Sequence, residues 1–405
     1  RAAQTAGDAD AASTCRADAS SMRRAAAKLE DDAGAAVMAA AEVVCATTAG
    51  AGDGRRLGAV RFRSVVLDEA TQATEPSSFV PLVRGAEWVV LAGDPRQLPP
   101  TVASAGARGA GLDQTLFERL QRGGLDPVLL DTQYRMHPAL AAFPSARFYG
   151  GRLKDGVPAT PSPAGFPWPA PSIPLALIDV DDGTEDRGAG GAGGGSVTNP
   201  REAALALRAA GALAAGGDVD SVVILSPYAG QVRLLKALLR DAPEEVRSLI
   251  KVSTVDGFQG READAVVLTT VRCNPAGSLG FVADGRRMNV ALTRGRRGAV
   301  VVGAPGTLSS DADWRVWLDH VTEAGALLPG GALAPLEWEP DEAVAALARG
   351  GAVSASWGVV AAPDDLTPAW TATDAPDAGS DWAGSAWAPD ALPDAAPTAA
   401  PADWA

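Results

Sequence analysis

Apolar residues fall along this chain in two different patterns. From Arg1 to about Ala41 the sequence is alanine-rich with scattered charge, and MRRAAAKLEDDAGAAVMAAAE has the propensity of a helix. It predicts a helical arm leading into a core. After it come short apolar runs bounded by turn residues: EVVCATT, SVVLDEA and WVVLAGD, then SVVILSPY, IKVSTVDG, AVVLTTVR and AVVVGAP. Runs of Val, Leu and Ile without polar alternation are the mark of strands buried on both faces, and stretches between them such as YAGQVRLLKALLRDA have helical spacing. The pattern predicts an α/β fold on parallel sheets, in two blocks.

The blocks are predicted to meet near GGLD, giving domains over residues 1–125 and 126–330. Two inserts interrupt the second block: VPATPSPAGFPWPAPSIP, too rich in proline for regular structure, and GTEDRGAGGAGGGSVTNP, a glycine loop. Both read as surface excursions. The glycine loop has no GK[ST] and follows the acidic DVDDG, so it does not read as a phosphate cradle. Past about Pro329 the composition shifts to Ala, Pro, Asp and spaced tryptophans. Residues 331–405 therefore read as a disordered acidic tail, unable to bury enough surface to offset ordering entropy.

A net charge of −14 argues at first against a nucleic-acid partner, because phosphate backbones are neutralised by Lys and Arg. The location of the charge reverses that inference. The tail carries twelve acidic residues against one basic residue, Arg349, so the rest of the chain is close to neutral and can hold a basic groove. Three scattered cysteines, Cys15, Cys45 and Cys273, form neither a CxxC pair nor a disulfide framework and read as reduced intracellular thiols. No apolar run approaches the ~18 residues of a membrane span, so no membrane partner is expected. The first residues do not resemble a secretory signal.

Candidate chemistry collects at the ends of the apolar runs. Asp68 and Glu69 close one of them, and in a parallel sheet they emerge at the carboxyl edge, where ligands bind. One carboxylate could hold Mg²⁺ while the other polarises an attacking water; a helix cap or chance adjacency fits the pair as well. WVVLAGDPRQLPPT ends at a similar edge, where Gln97 could sense a γ-phosphate or merely belong to a proline-stiffened turn. In LDTQYRMHP an aromatic precedes an arginine, so Tyr134 could stack on a base and Arg135 neutralise a phosphate. His137 reads as structural, since nothing near it in sequence completes a metal set or a triad. In VDGFQGRE, Gly257 and Gly260 permit close backbone approach to phosphate, and Glu262 can accept from a ribose hydroxyl. Arg294, placed by its spacing on a short amphipathic helix, could enter the other block's site as an arginine finger or belong to a solvated basic face.

Taken together, DEATQATEP, GDPRQLPPT, QYRMHPALAAFPS, SVVILSPYAGQ, VSTVDGFQGRE and RMNVALTRGRRG resemble, in order and spacing, the second through sixth helicase motifs of superfamily 1. Within it they are most similar to the up-frameshift RNA helicase of nonsense-mediated mRNA decay and its relatives, and EVVCATTAGAGDGRRL adds to the likeness. The similarity runs from about Ala41 to about Val321. The resemblance implies tandem RecA-like domains that clamp ATP while single-stranded RNA, or DNA, crosses them. It implies that Asp68 holds magnesium, Glu69 is the catalytic carboxylate, and Gln97 senses the γ-phosphate. It further implies that Tyr134 stacks on adenine, Arg135 and Arg294 contact the γ-phosphate, and Glu262 holds the ribose. Thr47, Tyr228, Ser253 and Thr254 fall in motifs that face the nucleic-acid strand. Cytoplasmic residence, with the nucleus open, and decay-factor proteins as partners follow from the same resemblance.

The chain departs from that pattern in several places. No glycine-rich loop ending in GK[ST] occurs in it, and neither does the glutamine-containing adenine motif nor a zinc-bearing Cys/His-rich domain. It begins with Arg1 rather than Met, which reads as a fragment. These residues alone are therefore expected to hydrolyse ATP negligibly. A truncated nucleic-acid-binding module and a DNA helicase of the same superfamily are the alternatives. Gly295 stands where relatives carry alanine, a small expected cost to a helix. In the tail, Trp338, Trp357, Trp370, Trp382, Trp387 and Trp404 could each insert into a partner's pocket, or be incidental to a solvated segment.

Overall fold

A computed structural model describes residues 6–58, 60–180, 182–187, 196–333 and 336. The acidic tail from residue 337 on, with its tryptophans, and residues 188–195 of the glycine loop lie outside the described residues. The described ends of that loop are not a mere surface excursion, since Asn199 is buried and Glu185 pairs with the buried Arg272. The architecture is α/β. The predicted arm is a single 35-residue helix, α1 (Ala6–Ala40). From residue 12 to residue 40 none of it is buried, and Met22 and Leu29 stand free of any core.

The first block has a two-stranded parallel sheet, β1 (Ser64–Leu67) and β2 (Trp88–Leu91), linked by helix α2 (Glu75–Leu82). In its register Val65 lies beside Val89 and Val66 beside Val90. Among the described residues only one face is covered: Val65 and Leu67 pack with Ala70, Phe62 and Leu82. On the other face Val66 is 68% exposed, Trp88 70% and Val90 57%. Burial on both faces, expected from the apolar runs, is therefore absent here. EVVCATT, read as a further strand, is not one. It runs irregularly with Val43 exposed, and among the described residues no strand pairs with it to take up its backbone groups. Helix α3 (Leu116–Arg122) closes the block, its start fixed by a capping box in which Thr115 and Glu118 satisfy each other's backbone N–H.

The second block is a six-stranded, all-parallel sheet of β3 (Leu175–Asp179), β4 (Val222–Ser226), β5 (Ile250–Thr254), β6 (Ala263–Thr269), β7 (Gly295–Gly303) and β8 (Leu327–Pro329). Across the sheet they run β8, β3, β7, β6, β4, β5. In the three central strands β7, β6 and β4, Val300, Val267 and Ile224 share one row. Alternate residues feed two cores. Ile224, Val267, Val300 and Val302 face helices α5 (Pro200–Ala215) and α6 (Ala229–Leu239), while Leu225, Val266, Leu268 and Val301 face the opposite side. That side is covered by α4 (Pro138–Tyr149) and by α8 (Ala312–Glu323). Trp314 and Trp317 of α8 are both buried, edge to face at 5.4 Å and 82°. Such a pair adds about 1 kcal/mol beyond its area burial. Every residue of β4 and β6 is buried, so here the reading from uninterrupted apolar runs is met.

Two strands carry no clear signal in sequence. LALID is hidden between the proline-rich insert and acidic DVDDG, and β8 is three residues ending in proline. The insert itself is irregular, as expected, yet not wholly a surface excursion: Phe166 is buried in the core under α5, and Trp168 packs beside it with centroids 4.6 Å apart. Among the described residues no helix is long and apolar enough to cross a membrane.

Candidate functional site

The candidate residues gather where the chain leaves β1 and β2 and meets the second block. Asp68 and Glu69 follow β1 directly and are exposed. The Asp68 carboxylate accepts from the Glu69 backbone N–H at 3.0 Å. Glu69 itself has φ +52°, the left-handed region that costs a non-glycine residue energy and that clusters at functional sites. Its carboxylate accepts from the Gln72 amide at 2.6 Å and is otherwise open to solvent.

Among the described residues no group of three or more His, Cys, Asp or Glu side chains is placed to hold a metal. A lone exposed carboxylate suits magnesium nonetheless, because that ion keeps several waters and is bound by one or two carboxylates together with substrate phosphates. Asp68 fits that donor pattern.

The chain that follows β2 enters the second block through Leu98, which is buried in the same core as Met136, Leu140 and Phe143 of the second block. Gln97, next to it, is fixed from both sides. Its Nε2 donates to Asp94 Oδ2 at 2.9 Å, and its Oε1 accepts from Arg294 Nη2 at 3.4 Å. A carboxylate only accepts and a guanidinium only donates, so the amide has one consistent orientation.

Arg294 reaches across to Gln97 of the first block, though not from the helix expected for it. Helix α7 (Gly285–Leu292) ends at Thr293, and Arg294 lies in the turn before β7. The guanidinium is held by Val290 O at 2.9 Å, Thr293 Oγ1 at 2.9 Å and Arg261 O at 3.3 Å, with the residue 2% exposed. Burial, then repulsion from Arg135, pulls its pKa down to about 10, with Glu69 and Glu262 acting the other way. It remains a cation at neutral pH. Gly295 accordingly imposes no helix cost: it starts β7, where an added Cβ would sit 2.6 Å from Gly298 O at the bulge against β6.

Arg135 donates to Glu262 Oε2 at 2.7 Å and to Thr293 O at 3.1 Å. Glu262, expected to meet a sugar, is thus committed to Arg135, with Arg296 a further 3.6 Å contact. Gly260 has φ +73° and open space where a side chain would be. Tyr134 is 74% exposed, with its ring laid so closely on Gly156 that a Cβ there would come within 2.4 Å of Cε1. Gly156 went unread because a lone glycine in KDGVP carries no signal of the ring above it. His137 is structural, as read: buried, it accepts from Ala139 N at 3.1 Å to cap α4, and burial lowers its pKa.

The four residues assigned to the nucleic-acid strand are not brought together in one way. Thr47 is exposed and caps its own turn, accepting from Gly50 N at 3.0 Å. Ser253 and Thr254 are half-buried at the end of edge strand β5, with Thr254 Oγ1 accepting from Gly257 N at 3.0 Å. Tyr228 is 6% exposed, and its hydroxyl donates to Leu279 O at 2.8 Å. It also lies 3.3 Å from Arg272, which forms a buried ion pair with Glu185. Tyr228 is therefore a packed support rather than a surface contact in this structure, because the chain around Leu279 covers it.

Two family models, each described as an AAA domain, match residues 3–105 and 112–306. The "Regulator of nonsense transcripts 1 homolog" of Arabidopsis thaliana is 42% identical over 297 residues, covering 72% of this chain and 23% of that protein. The "ATP-dependent helicase upf1" of Schizosaccharomyces pombe is 40% identical over 301 residues, covering 73% of this chain and 32% of that protein. The "ATP-dependent helicase NAM7" of Saccharomyces cerevisiae is 39% identical over 303 residues, covering 73% of this chain and 31% of that protein. The matched part of the chain thus spans less than a third of the length of each of these relatives.

Proposed function

Since the chain belongs to the superfamily 1 helicases of the up-frameshift group and its relatives, we propose that it is a portion of an ATP-dependent RNA helicase of the nonsense-mediated mRNA decay type. In this reading residues 1–125 and 126–330 form two RecA-like units that couple ATP hydrolysis to movement along single-stranded RNA. One contact carries the reading: Arg294 of the second block donates to Gln97 of the first. A sensor amide and an arginine brought together from two units are groups that can act jointly on one γ-phosphate.

Asp68 would hold magnesium, which when bound supplies charge neutralisation on the phosphates. Glu69, exposed and free of any cation within ion-pair distance among the described residues, polarises the attacking water. Gln97 reports the γ-phosphate, Arg135 and Arg294 balance the charge that develops on it, and Tyr134 stacks on the adenine. Glu262 releases Arg135 as the sugar takes its place. Cytoplasmic residence and decay-factor partners belong to the same proposal. The spaced tryptophans of the tail would add a weak multivalent contact to such a partner, and deleting residues 351–405 should abolish its capture.

ATP turnover tests this directly. The full-length gene product should hydrolyse ATP in the presence of single-stranded RNA and lose that activity with Glu69→Gln. These 405 residues alone, which contain no GK[ST] loop, should turn over ATP negligibly. Stimulation by single-stranded DNA alone would favour a DNA helicase. RNA binding by an inert full-length product would favour a binding module.

A further inference from the structure

The contact that carries the proposed function has a second support, through Tyr149, a residue outside every motif assigned above. Helix α4 is capped by His137, two residues after Arg135, and ends at Tyr149, where Gly150 at φ +61° stops it. The Tyr149 hydroxyl donates to Asp94 Oδ2 at 2.6 Å, and Asn289 Nδ2 of α7 donates to that hydroxyl at 2.8 Å. Asn289, fully buried, also donates to Arg96 O at 3.0 Å. Asp94 Oδ2 is the same atom that accepts from the Gln97 amide, while Oδ1 accepts from Arg96 N at 2.9 Å. One carboxylate is thereby fixed from within its own turn and from the other block.

We propose that Tyr149 is a positioning residue for the γ-phosphate sensor: by donating to Asp94 while accepting from Asn289, it holds the carboxylate that orients Gln97. The chain of contacts is continuous, from Asn289 through Tyr149, Asp94 and Gln97 to Arg294. Each link has a fixed donor direction, because Asp94 only accepts and Arg294 only donates. Burial, and then the Asp94 carboxylate, raise the phenol's pKa, so it stays a donor throughout the physiological range. The proposal rests on Gln97 having the role given above. Its geometric part, that Tyr149 orients the Gln97 amide, does not.

The test therefore has two arms. In this 405-residue chain, the Gln97 side-chain amide resonance is assigned by its disappearance in Gln97→Ala. Tyr149→Phe, which keeps the ring, should move that resonance by more than its line width. Asn289→Ala, which releases the hydroxyl from the other side, should move it in the same direction and serves if the first variant does not fold. An unmoved resonance in either folded variant overturns the proposal.

In the full-length product, Tyr149→Phe should lower RNA-stimulated kcat about tenfold with KM for ATP within about twofold. In a Gln97→Ala background it should cost nothing further, since both changes break one chain. Additive losses would show a general structural role and overturn the positioning role. A wild-type product that hydrolyses no ATP would instead defeat the proposed function, while the resonance arm still decides whether Tyr149 orients Gln97.

Discussion

Arg135 and Glu262, 127 residues apart in sequence, form a 2.7 Å ion pair within the candidate site. Both side chains are partly exposed, at 33% and 42%, so the pair adds less than about 1 kcal/mol to stability. Its importance is geometric, because it sets where Arg135 points. Glu262→Gln should leave the urea midpoint nearly unchanged while raising KM for ATP severalfold in the full-length product. A loss confined to stability would assign the pair to the fold alone.

Tyr134 gives a second prediction. Its exposed ring lies on Gly156, with no room between them for a methyl group. Gly156→Ala should displace the ring into solvent at little cost to folding and weaken adenine nucleotide binding about tenfold, as expected for a lost aromatic contact. Titration with a fluorescent adenine nucleotide, set against a guanine counterpart, measures this. Equal losses for both bases would also follow from a stacking role, whereas unchanged affinity for either would not.

The buried carboxyl of Glu202 predicts a pH dependence. It is fully buried in α5 and accepts from Val271 N and Thr269 Oγ1, each at 2.6 Å. Burial outweighs those hydrogen bonds and pushes its pKa up to about 8, from an ordinary 4.5. The folded state then binds a proton that the unfolded state has released. Stability contributed at this site is greatest below the unfolded value, falls as pH rises toward 8, and is flat above it. Glu202→Gln, which mimics the protonated form, should remove the slope of on the order of 1 kcal/mol per pH unit. Parallel pH profiles of wild type and variant in urea unfolding would contradict this.

Arg272 and Glu185 form a buried pair, their side chains 4% and 9% exposed. Glu185 also accepts from Cys273 N at 3.2 Å and Asn274 Nδ2 at 2.9 Å, so it anchors the turn that leaves β6. That turn begins at Val271, with φ +71°. Arg272→Met should destabilise the second block by about 3 to 5 kcal/mol, since it strands a buried carboxylate. Denaturant midpoints read the change, and Glu185→Gln with Arg272→Met should recover part of it.

How much of this could be read from the sequence differs between the blocks. Val222–Ser226 and Ala263–Thr269 were legible because a strand buried on both faces can be written with apolar residues alone. The same signal misled at EVVCATT, which pairs with no strand among the described residues. Gln97, Arg135 and Arg294 were legible through their motifs, and the structure joins Gln97 to Arg294 and Arg135 to Glu262. Tyr149, Asp94 and Asn289 were not. Their contacts span 55 and 140 residues, and no local pattern encodes a hydrogen bond made only after two blocks dock.

The bare face of the first block has a consequence for handling the molecule. Val66 and Val90 stand side by side next to Trp88, and among the described residues β1 and β2 each have a single ladder partner. A flat apolar face bordered by unpaired strand edges is a template for association between copies. Purified at high concentration, the folded chain should scatter light well below its unfolding temperature, and Trp88→Lys should clear the solution without moving that temperature much. For this polypeptide, the limit on concentration would then be colloidal and set by a few side chains on one small sheet.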